Sequence, residues 1–155
     1  MNERGVRMSK ANAPSRRVLV ADDDPVVRHL VTSIVKREGY EAVVVDDGRE
    51  ACRILSRDAD FSAAIFDMKM PHLEGVDVIR HMRTERRLMR IPVMLITSER
   101  DFKLVSESFA AGATLFLPKP FTTGQLRLML LMLLGSGGKA DGRAAAKQGR
   151  HTAEV

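Results

Sequence analysis

The chain has 155 residues, a formal net charge of +5 and one cysteine, Cys52. This length predicts a single domain with its own core, and one cysteine excludes a disulfide framework within the chain and favours a reducing compartment. The chain begins without the apolar segment of a signal peptide and contains no run of about 18 apolar residues, so we expect a cytoplasmic protein that does not enter a membrane.

The composition changes towards both ends of the chain. Residues 1–17 carry a charge of +4 and residues 135–155 carry +2, which leaves −1 for the middle. Both ends are rich in small, polar and basic residues, a composition typical of flexible tails. We therefore expect a flexible basic segment over 1–16, a folded domain over 17–134 and a flexible tail over 135–155. We favour solvated tails over electrostatic contact with nucleic acid or an acidic partner.

Within the domain, apolar runs of strand length alternate with segments of helical spacing. Asp24 and Pro25 begin the first helix, because Asp is a common N-cap and Pro a common first helical residue, and Gly39 ends it. Asp47 to Glu50 has the spacing of a capping box that begins a second, short helix. We predict strands over 18–21, 41–46, 63–67, 91–97 and 114–118, and further helices over 75–87, 102–111 and 122–134.

Polar residues stand at the ends of four of the predicted strands. Asp22 and Asp23 come directly after the first strand, and Asp67 ends the third. Thr97 ends the fourth strand and Lys119 follows the fifth. Parallel strands that alternate with helices open at their carboxyl ends into one crevice, so we expect these side chains to meet.

This set of side chains predicts a particular chemistry. Closely packed carboxylates repel one another unless a cation lies among them, and an incomplete set of hard oxygen ligands favours Mg²⁺ that retains some of its waters. A lysine and a threonine beside the metal can hold phosphoryl oxygens, and an aspartate carboxylate is a competent nucleophile towards phosphorus. The sequence therefore predicts phosphoryl transfer onto Asp67.

Four motifs, in this order, resemble the receiver domain of two-component response regulators over residues 17–134. They are Val-Leu-Val-Ala-Asp22-Asp23-Asp24-Pro25, Asp67-Met-Lys-Met-Pro71-x-x-x-Gly75, Thr97-Ser98 and Pro118-Lys119-Pro120-Phe121. The resemblance implies an α/β fold with a doubly wound, five-stranded parallel sheet of flavodoxin-like order 2-1-3-4-5 and five helices. It also implies that a histidine kinase or histidine phosphotransfer protein donates the phosphoryl group and that a downstream protein target reads the change.

The resemblance implies a role for each residue at the metal site. Asp67 is the phosphoacceptor, and Asp23 and Asp67 bind Mg²⁺ directly. Asp22 acts largely through water, and the main-chain carbonyl of Lys69 adds a ligand. Asp24 is expected to be the N-cap of the first helix rather than a ligand.

Other residues are implied to sense phosphorylation. Thr97 bonds to the phosphoryl group and moves towards it, Lys119 contacts the same group, and Phe116 turns into the room that Thr97 vacates. A cis peptide bond between Lys119 and Pro120 is usual in the family and would aim the ammonium group into the pocket.

Lys69 and Glu99 fall at positions that vary within the resembled family and that flank the path of an attacking water. We expect a pair between these two side chains to hinder hydrolysis and to lengthen the phosphorylated lifetime.

The last predicted helix is more apolar than a helix docked on a sheet needs to be. Residues 128–134 are all Leu or Met, so some of them must face outward, and we expect Leu130 and Leu134 among these. Such a surface favours binding of a partner or a second copy of the chain. In the resembled family the fourth helix, fifth strand and fifth helix form the usual dimer and output face, so a homodimer is expected to use it.

Three alternatives stay open. A small phosphatase also uses an aspartyl nucleophile and Mg²⁺, but it requires a second Asp two residues later, where this chain has Lys69. A degenerate receiver would bind partners without phosphorylation, against which the complete acidic set argues. A nucleic-acid binder would act through the basic ends. We favour a phosphoacceptor signalling domain with no enzyme activity beyond its own phosphorylation and dephosphorylation, and with no output domain in the chain.

Overall fold

The computed structural model describes residues 15–98, 100 and 102–136. Most of the two predicted tails, and Glu99, lie outside the described residues. The described elements, in chain order, are β1 (Arg17–Ala21), α1 (Pro25–Arg37), β2 (Glu41–Val45), α2 (Gly48–Arg57), β3 (Ala63–Asp67), α3 (Gly75–Arg83), a 3₁₀ turn (Arg86–Leu88), β4 (Val93–Thr97), α4 (Phe102–Ala111), β5 (Leu115–Pro118) and α5 (Thr123–Ser136).

The five strands form one parallel sheet in the order β2-β1-β3-β4-β5, which confirms the predicted topology. Ala21 pairs with Phe66 across β1 and β3, so the residues that follow these two strands emerge side by side. The order of the strands reverses at this point, which is where ligands bind in open α/β sheets.

Helices cover both faces of the sheet. Successive strand residues point to opposite faces, so each strand contributes side chains to both. Val18 and Val20 belong to a core cluster with α1 and α5. Leu19 and Ala21 belong to a second cluster that includes residues of α2 and α3. Strands buried on both faces read as continuous apolar runs, which is why the sequence located them well.

The helix starts follow the predicted capping. Asp24 accepts a hydrogen bond from the Val26 N–H at 2.9 Å, and Pro25 is the first residue of α1. Asp47 accepts one from the Glu50 N–H at 2.8 Å at the start of α2. These side chains satisfy N–H groups that have no partner within the helix. Asp24 is thus the N-cap of α1, as expected.

The end of α3 differs from the prediction. The helix was expected to run to residue 87, but it ends at Arg83, and a 3₁₀ turn follows over Arg86–Leu88. The Thr84 hydroxyl donates to the His81 carbonyl at 2.7 Å, a local bond that competes with helix continuation. Leu88 is fully buried and holds the turn against the core.

The inward stripe of α5 corrects a second prediction. Leu126, Leu130 and Leu133 are fully buried against the sheet, so the expectation that Leu130 faces outward is wrong. Leu134 is half-buried and packs on the same cluster. The exposed apolar residues of this helix are Leu128, at 59% exposure, and Leu131. Among the described residues, no helix is long and apolar enough to cross a membrane.

Candidate functional site

The predicted acidic residues meet at the carboxyl edge of the sheet. One carboxylate oxygen from each of Asp22, Asp23 and Asp67 lies within 4.8 Å of the other two. Asp22 and Asp23 follow β1, and Asp67 is the last residue of β3, so adjacency of these two strands produces the cluster. Asp23 is exposed, whereas Asp22 and Asp67 are buried. The site therefore opens to solvent on the Asp23 side.

The environment of Asp22 disfavours the ionised form of its carboxyl group. The residue is only 2% exposed, and burial is the largest of the causes that together raise its pKa to about 6. The Asp24 N–H opposes the effect of burial by donating to Asp22 Oδ1 at 2.8 Å, and the charge of Asp67 acts in the same direction as burial. The other oxygen, Oδ2, is buried and has no hydrogen-bond partner among the described residues. A buried acceptor without a partner is costly in free energy.

Asp67 has a cationic neighbour. Burial raises its pKa, and the Lys119 ammonium opposes that shift, with Lys119 Nζ lying 3.5 Å from Asp67 Oδ1. The main-chain N–H of Lys69 also donates to the Asp67 carboxylate and favours its ionised form. Lys119 is held in turn by its own N–H, which donates to the Thr97 carbonyl at 2.7 Å. The peptide bond between Lys119 and Pro120 is cis.

Thr97 and Phe116 lie on β4 and β5, the two strands that follow β3 in the sheet. Thr97 is buried at the end of β4. Phe116 is half-buried, and its ring centroid lies 4.9 Å from that of Phe109 in α4. Lys69 is exposed next to the cluster, while its predicted partner Glu99 lies outside the described residues.

Sequence reasoning assigned no role to two residues that shape this region. Gly75, the first residue of α3, leaves room for the main chain of β3, because a Cβ there would lie 2.6 Å from the Asp67 carbonyl oxygen and 2.6 Å from Leu95 Cδ2. Its place in the Asp67 motif was the available signal. Phe109 had no comparable signal, because its contact with Phe116 depends on how α4 packs against β5.

The donor set fits a hard divalent cation. Three carboxylates converge, and within the described part of the chain no donor reaches the buried Asp22 Oδ2. Oxygen ligands of this kind suit Mg²⁺, which keeps several waters and takes few protein ligands. The cluster is therefore better suited to metal binding than to a network of internal hydrogen bonds.

A sequence model of the family described as response regulator receiver domain matches residues 18–131. The chain belongs to this family. The match includes all five strands except the first residue of β1, together with the acidic cluster. The phosphatase alternative is set aside by this result, because the family consists of phosphoacceptor signalling domains of two-component systems.

Several known proteins are similar over nearly their whole length. Chemotaxis protein CheY1 of Helicobacter pylori is 33% identical over 121 residues, which cover 77% of this chain and 98% of that protein. The structure of CheY4 of Vibrio cholerae has a TM-score of 0.71 at 29% identity, covering 77% of this chain and 98% of that one. The receiver domain of a sensor histidine kinase from Pseudomonas aeruginosa has a TM-score of 0.69 at 26% identity, covering 79% and 99%. That structure has a magnesium ion coordinated in its active site cleft.

The acidic triad Asp22, Asp23 and Asp67 is thus the type of site that binds Mg²⁺ in receiver domains. The similarity to these relatives also identifies the described fold as a CheY-like receiver domain. Receiver domains take part in two-component signalling, which implies a kinase as phosphodonor and a downstream target.

Proposed function

We propose that Asp67 accepts a phosphoryl group from a histidine kinase or histidine phosphotransfer protein and that a protein partner reads the resulting conformational change. The observation that carries this proposal is the position of Asp67. It ends β3 within a carboxylate cluster, and a lysine ammonium lies 3.5 Å from one of its oxygens. A nucleophilic carboxylate and a cation for phosphoryl oxygens are therefore side by side.

The transfer needs an ionised Asp67. Burial disfavours this form, while Lys119 and the Lys69 N–H favour it. The Asp67 carboxylate attacks the phosphorus of a phosphohistidine, a P–O bond forms as the P–N bond breaks, and the imidazole nitrogen keeps the electron pair. Mg²⁺, when bound, supplies positive charge that offsets the repulsion between the carboxylates and the phosphoryl oxygens. Asp22, Asp23, Asp67 and the main-chain carbonyl of Lys69 would hold it.

The response to phosphorylation would involve Thr97 and Phe116. The Thr97 hydroxyl can donate to a phosphoryl oxygen on Asp67, because the ends of β3 and β4 are neighbours. Phe116 pairs with Leu95 in register, and Leu95 lies two residues before Thr97 on the same side of β4. A small movement of Thr97 towards the phosphoryl group thus gives the Phe116 ring room to turn inward. Phosphorylation then shifts a two-state population.

We also propose that Lys69 and Glu99 set the lifetime of the phosphorylated state. Lys69 is exposed beside the cluster, where its side chain can screen the approach of water to the phosphorus. The double variant Lys69→Asn, Glu99→Ala is expected to lose its phosphoryl group faster than the native chain. Equal rates would refute this role.

An interaction surface on α5 is the finer part of the proposal. Leu128 and Leu131 are exposed on this helix, and Leu128 also lines a groove of about 250 Å³ with Phe116 and Pro118 of β5. We propose that this face, with α4 and β5, binds the downstream partner or a second copy of the chain. If a dimer forms upon phosphorylation, the double variant Leu128→Ser, Leu131→Ser should shift it towards monomer, which lowers the average mass measured in solution.

We propose residues 17–134 as the extent of the receiver domain and the cytoplasm as its compartment, and most of the two predicted tails lies outside the described residues. The start of this range is supported by β1, which begins at Arg17, whereas α5 continues to Ser136, two residues beyond the proposed end. The single, half-buried Cys52 supports a reducing compartment.

Intact mass after incubation with acetyl phosphate and Mg²⁺ tests the central proposal. We expect the native chain to gain one phosphoryl group only when Mg²⁺ is present, and Asp67→Asn to gain none. Asp60→Asn is the matched control, because Asp60 is an exposed aspartate outside the cluster and its loss should leave the gain intact. A folded native chain that binds Mg²⁺ but gains no mass would instead indicate an interaction module that works without phosphorylation.

A further inference from the structure

α4 is the most weakly docked helix in the described part of the chain. Ser108 is its one fully buried residue out of ten, whereas α1, α2 and α5 each bury three residues and α3 buries five. Its C-terminal end is tied to α3, where Arg83 Nε donates to the Ala111 carbonyl at 3.0 Å. Elements with little buried surface rearrange at low cost in free energy. The few contacts that α4 makes therefore have a large share in fixing its position.

A ring contact joins this helix to the sheet. The rings of Phe109 and Phe116 have centroids 4.9 Å apart and are tilted by 40°. This separation lies within the range in which aromatic pairs attract beyond their area burial. Phe109 is nevertheless 47% exposed, so its ring makes this contact at the surface of the protein.

The stack opposes the inward movement of Phe116. Thr97 lies towards the interior of the site, because it is buried at the end of β4, the strand that pairs with β5. Phe109, in contrast, is exposed on α4 and contacts Phe116 from the solvent side. The Phe116 ring therefore leaves Phe109 when it turns towards Thr97.

We propose that Phe109 is a positioning residue that holds Phe116 in its outward orientation and thereby lowers the readiness of Asp67 to accept a phosphoryl group. This inference rests on the proposed function, because it requires phosphorylation of Asp67 to be coupled to inward movement of Phe116. Coupling is reciprocal: a contact that favours the outward orientation must disfavour phosphorylation to the same extent.

The chain offers matched variants for a test. Phe109→Leu keeps apolar volume but removes the ring, and Phe109→Tyr keeps the ring. Phe102→Leu is the same substitution seven residues earlier on α4, where the ring is 88% exposed. Two turns separate these positions, so they lie on the same side of the helix. The fourth variant, Phe116→Leu, removes the other ring of the stack.

The first readout is the apparent affinity for beryllofluoride, a mimic of the phosphoryl group, in the presence of Mg²⁺. The range of aromatic pair energies predicts a rise of about 2- to 12-fold for Phe109→Leu. Phe109→Tyr and Phe102→Leu should match the native chain. The affinity of each variant for Mg²⁺ in the absence of beryllofluoride should equal that of the native chain. A variant that had lost its structure would bind Mg²⁺ more weakly.

A double-mutant cycle decides whether Phe109 acts through Phe116. In the Phe116→Leu background, Phe109→Leu should have no further effect, because residues in contact are non-additive. The inference is overturned if Phe109→Leu behaves like Phe102→Leu, or if its effect persists in the Phe116→Leu background. A native chain that takes neither beryllofluoride nor a phosphoryl group would overturn the proposed function as well, so the two failures are distinct.

Discussion

Replacing Asp22 by asparagine is expected to stabilise the metal-free protein at neutral pH. Burial raises the pKa of this carboxyl from 3.8 to about 6, so the folded protein holds the proton more tightly than the unfolded chain does. The free energy of unfolding therefore falls as the pH rises from about 4 to about 6, and the full penalty of ionisation is present above that range. Asparagine fills nearly the same volume without a charge.

The size of the effect follows from the shift in pKa. A shift of roughly two pH units corresponds to about 3 kcal/mol at most, and the melting temperature of a domain of this size changes by about 4 °C per kcal/mol. We thus expect Asp22→Asn to melt about 10 °C above the native chain at neutral pH. The amide nitrogen that replaces Oδ2 can also donate towards the Asp67 carboxylate, because the two side chains lie in one cluster.

Thermal and urea unfolding in the presence of a chelator would measure this difference at about pH 7 and about pH 4, on either side of the titration. The difference should disappear at the acidic pH, where Asp22 is protonated in the native chain. Asp60→Asn, at an exposed position, controls for the loss of one negative charge. Saturating Mg²⁺ should stabilise the native chain more than Asp22→Asn. A variant that is no more stable than the native chain at neutral pH, or equally stabilised at both pH values, would refute this reasoning.

Three other measurements test the structure. Mg²⁺ affinity, followed by titration calorimetry, should fall by about tenfold per pH unit below pH 6, because protonation of Asp22 competes with the metal; a flat profile would contradict the raised pKa. Gly75→Ala should cost about 1–3 kcal/mol in urea unfolding, since its Cβ would overlap the Asp67 carbonyl and Leu95, and an unchanged midpoint would show that α3 shifts freely. Leu130→Ala should cost about 2–5 kcal/mol and Leu128→Ala less than about 1, so equal losses would contradict the inward stripe of α5.

The sequence predicted the strands and the acidic cluster because the physical signal at those positions is local. A strand covered on both faces is apolar at every residue, and a charged residue at its end marks the edge of the sheet. Asp22 and Asp67 could thus be placed from two separate runs of residues. The strand order needed more than local pattern, because apolar runs do not reveal which strands are neighbours, and the family resemblance supplied that information.

Two predictions failed. One concerns a segment in which every residue is apolar, and the other concerns a helix end at which helix-compatible residues precede a tight turn. Residues 128–134 are all apolar, so hydrophobic periodicity cannot tell which residues face the sheet, and Leu130 was placed outward. The buried Leu126 and Leu133 show the inward stripe only once the helix is docked. At the end of α3, residues 84–87 are compatible with a helix by composition, but the buried Leu88 favours a tight turn instead.

Two features of the unphosphorylated protein favour its response. One acts on the free energy of metal binding, and the other acts on the free energy of the conformational change. Ionised Asp22, whose buried Oδ2 has no hydrogen-bond partner among the described residues, raises the free energy of the metal-free state at neutral pH. A ligand that supplies positive charge offsets this cost, so the instability of the site contributes directly to affinity. The weak docking of α4 acts on the conformational change that follows phosphorylation. A helix that buries one residue of ten is displaced at little cost in free energy. If the Phe109 stack is the main restraint on the movement of Phe116, the site can bind Mg²⁺ tightly while one exposed ring tunes the response to the phosphoryl group. Substitutions at Asp22 should then change metal affinity and stability together, whereas substitutions at Phe109 should change the response and leave Mg²⁺ binding alone.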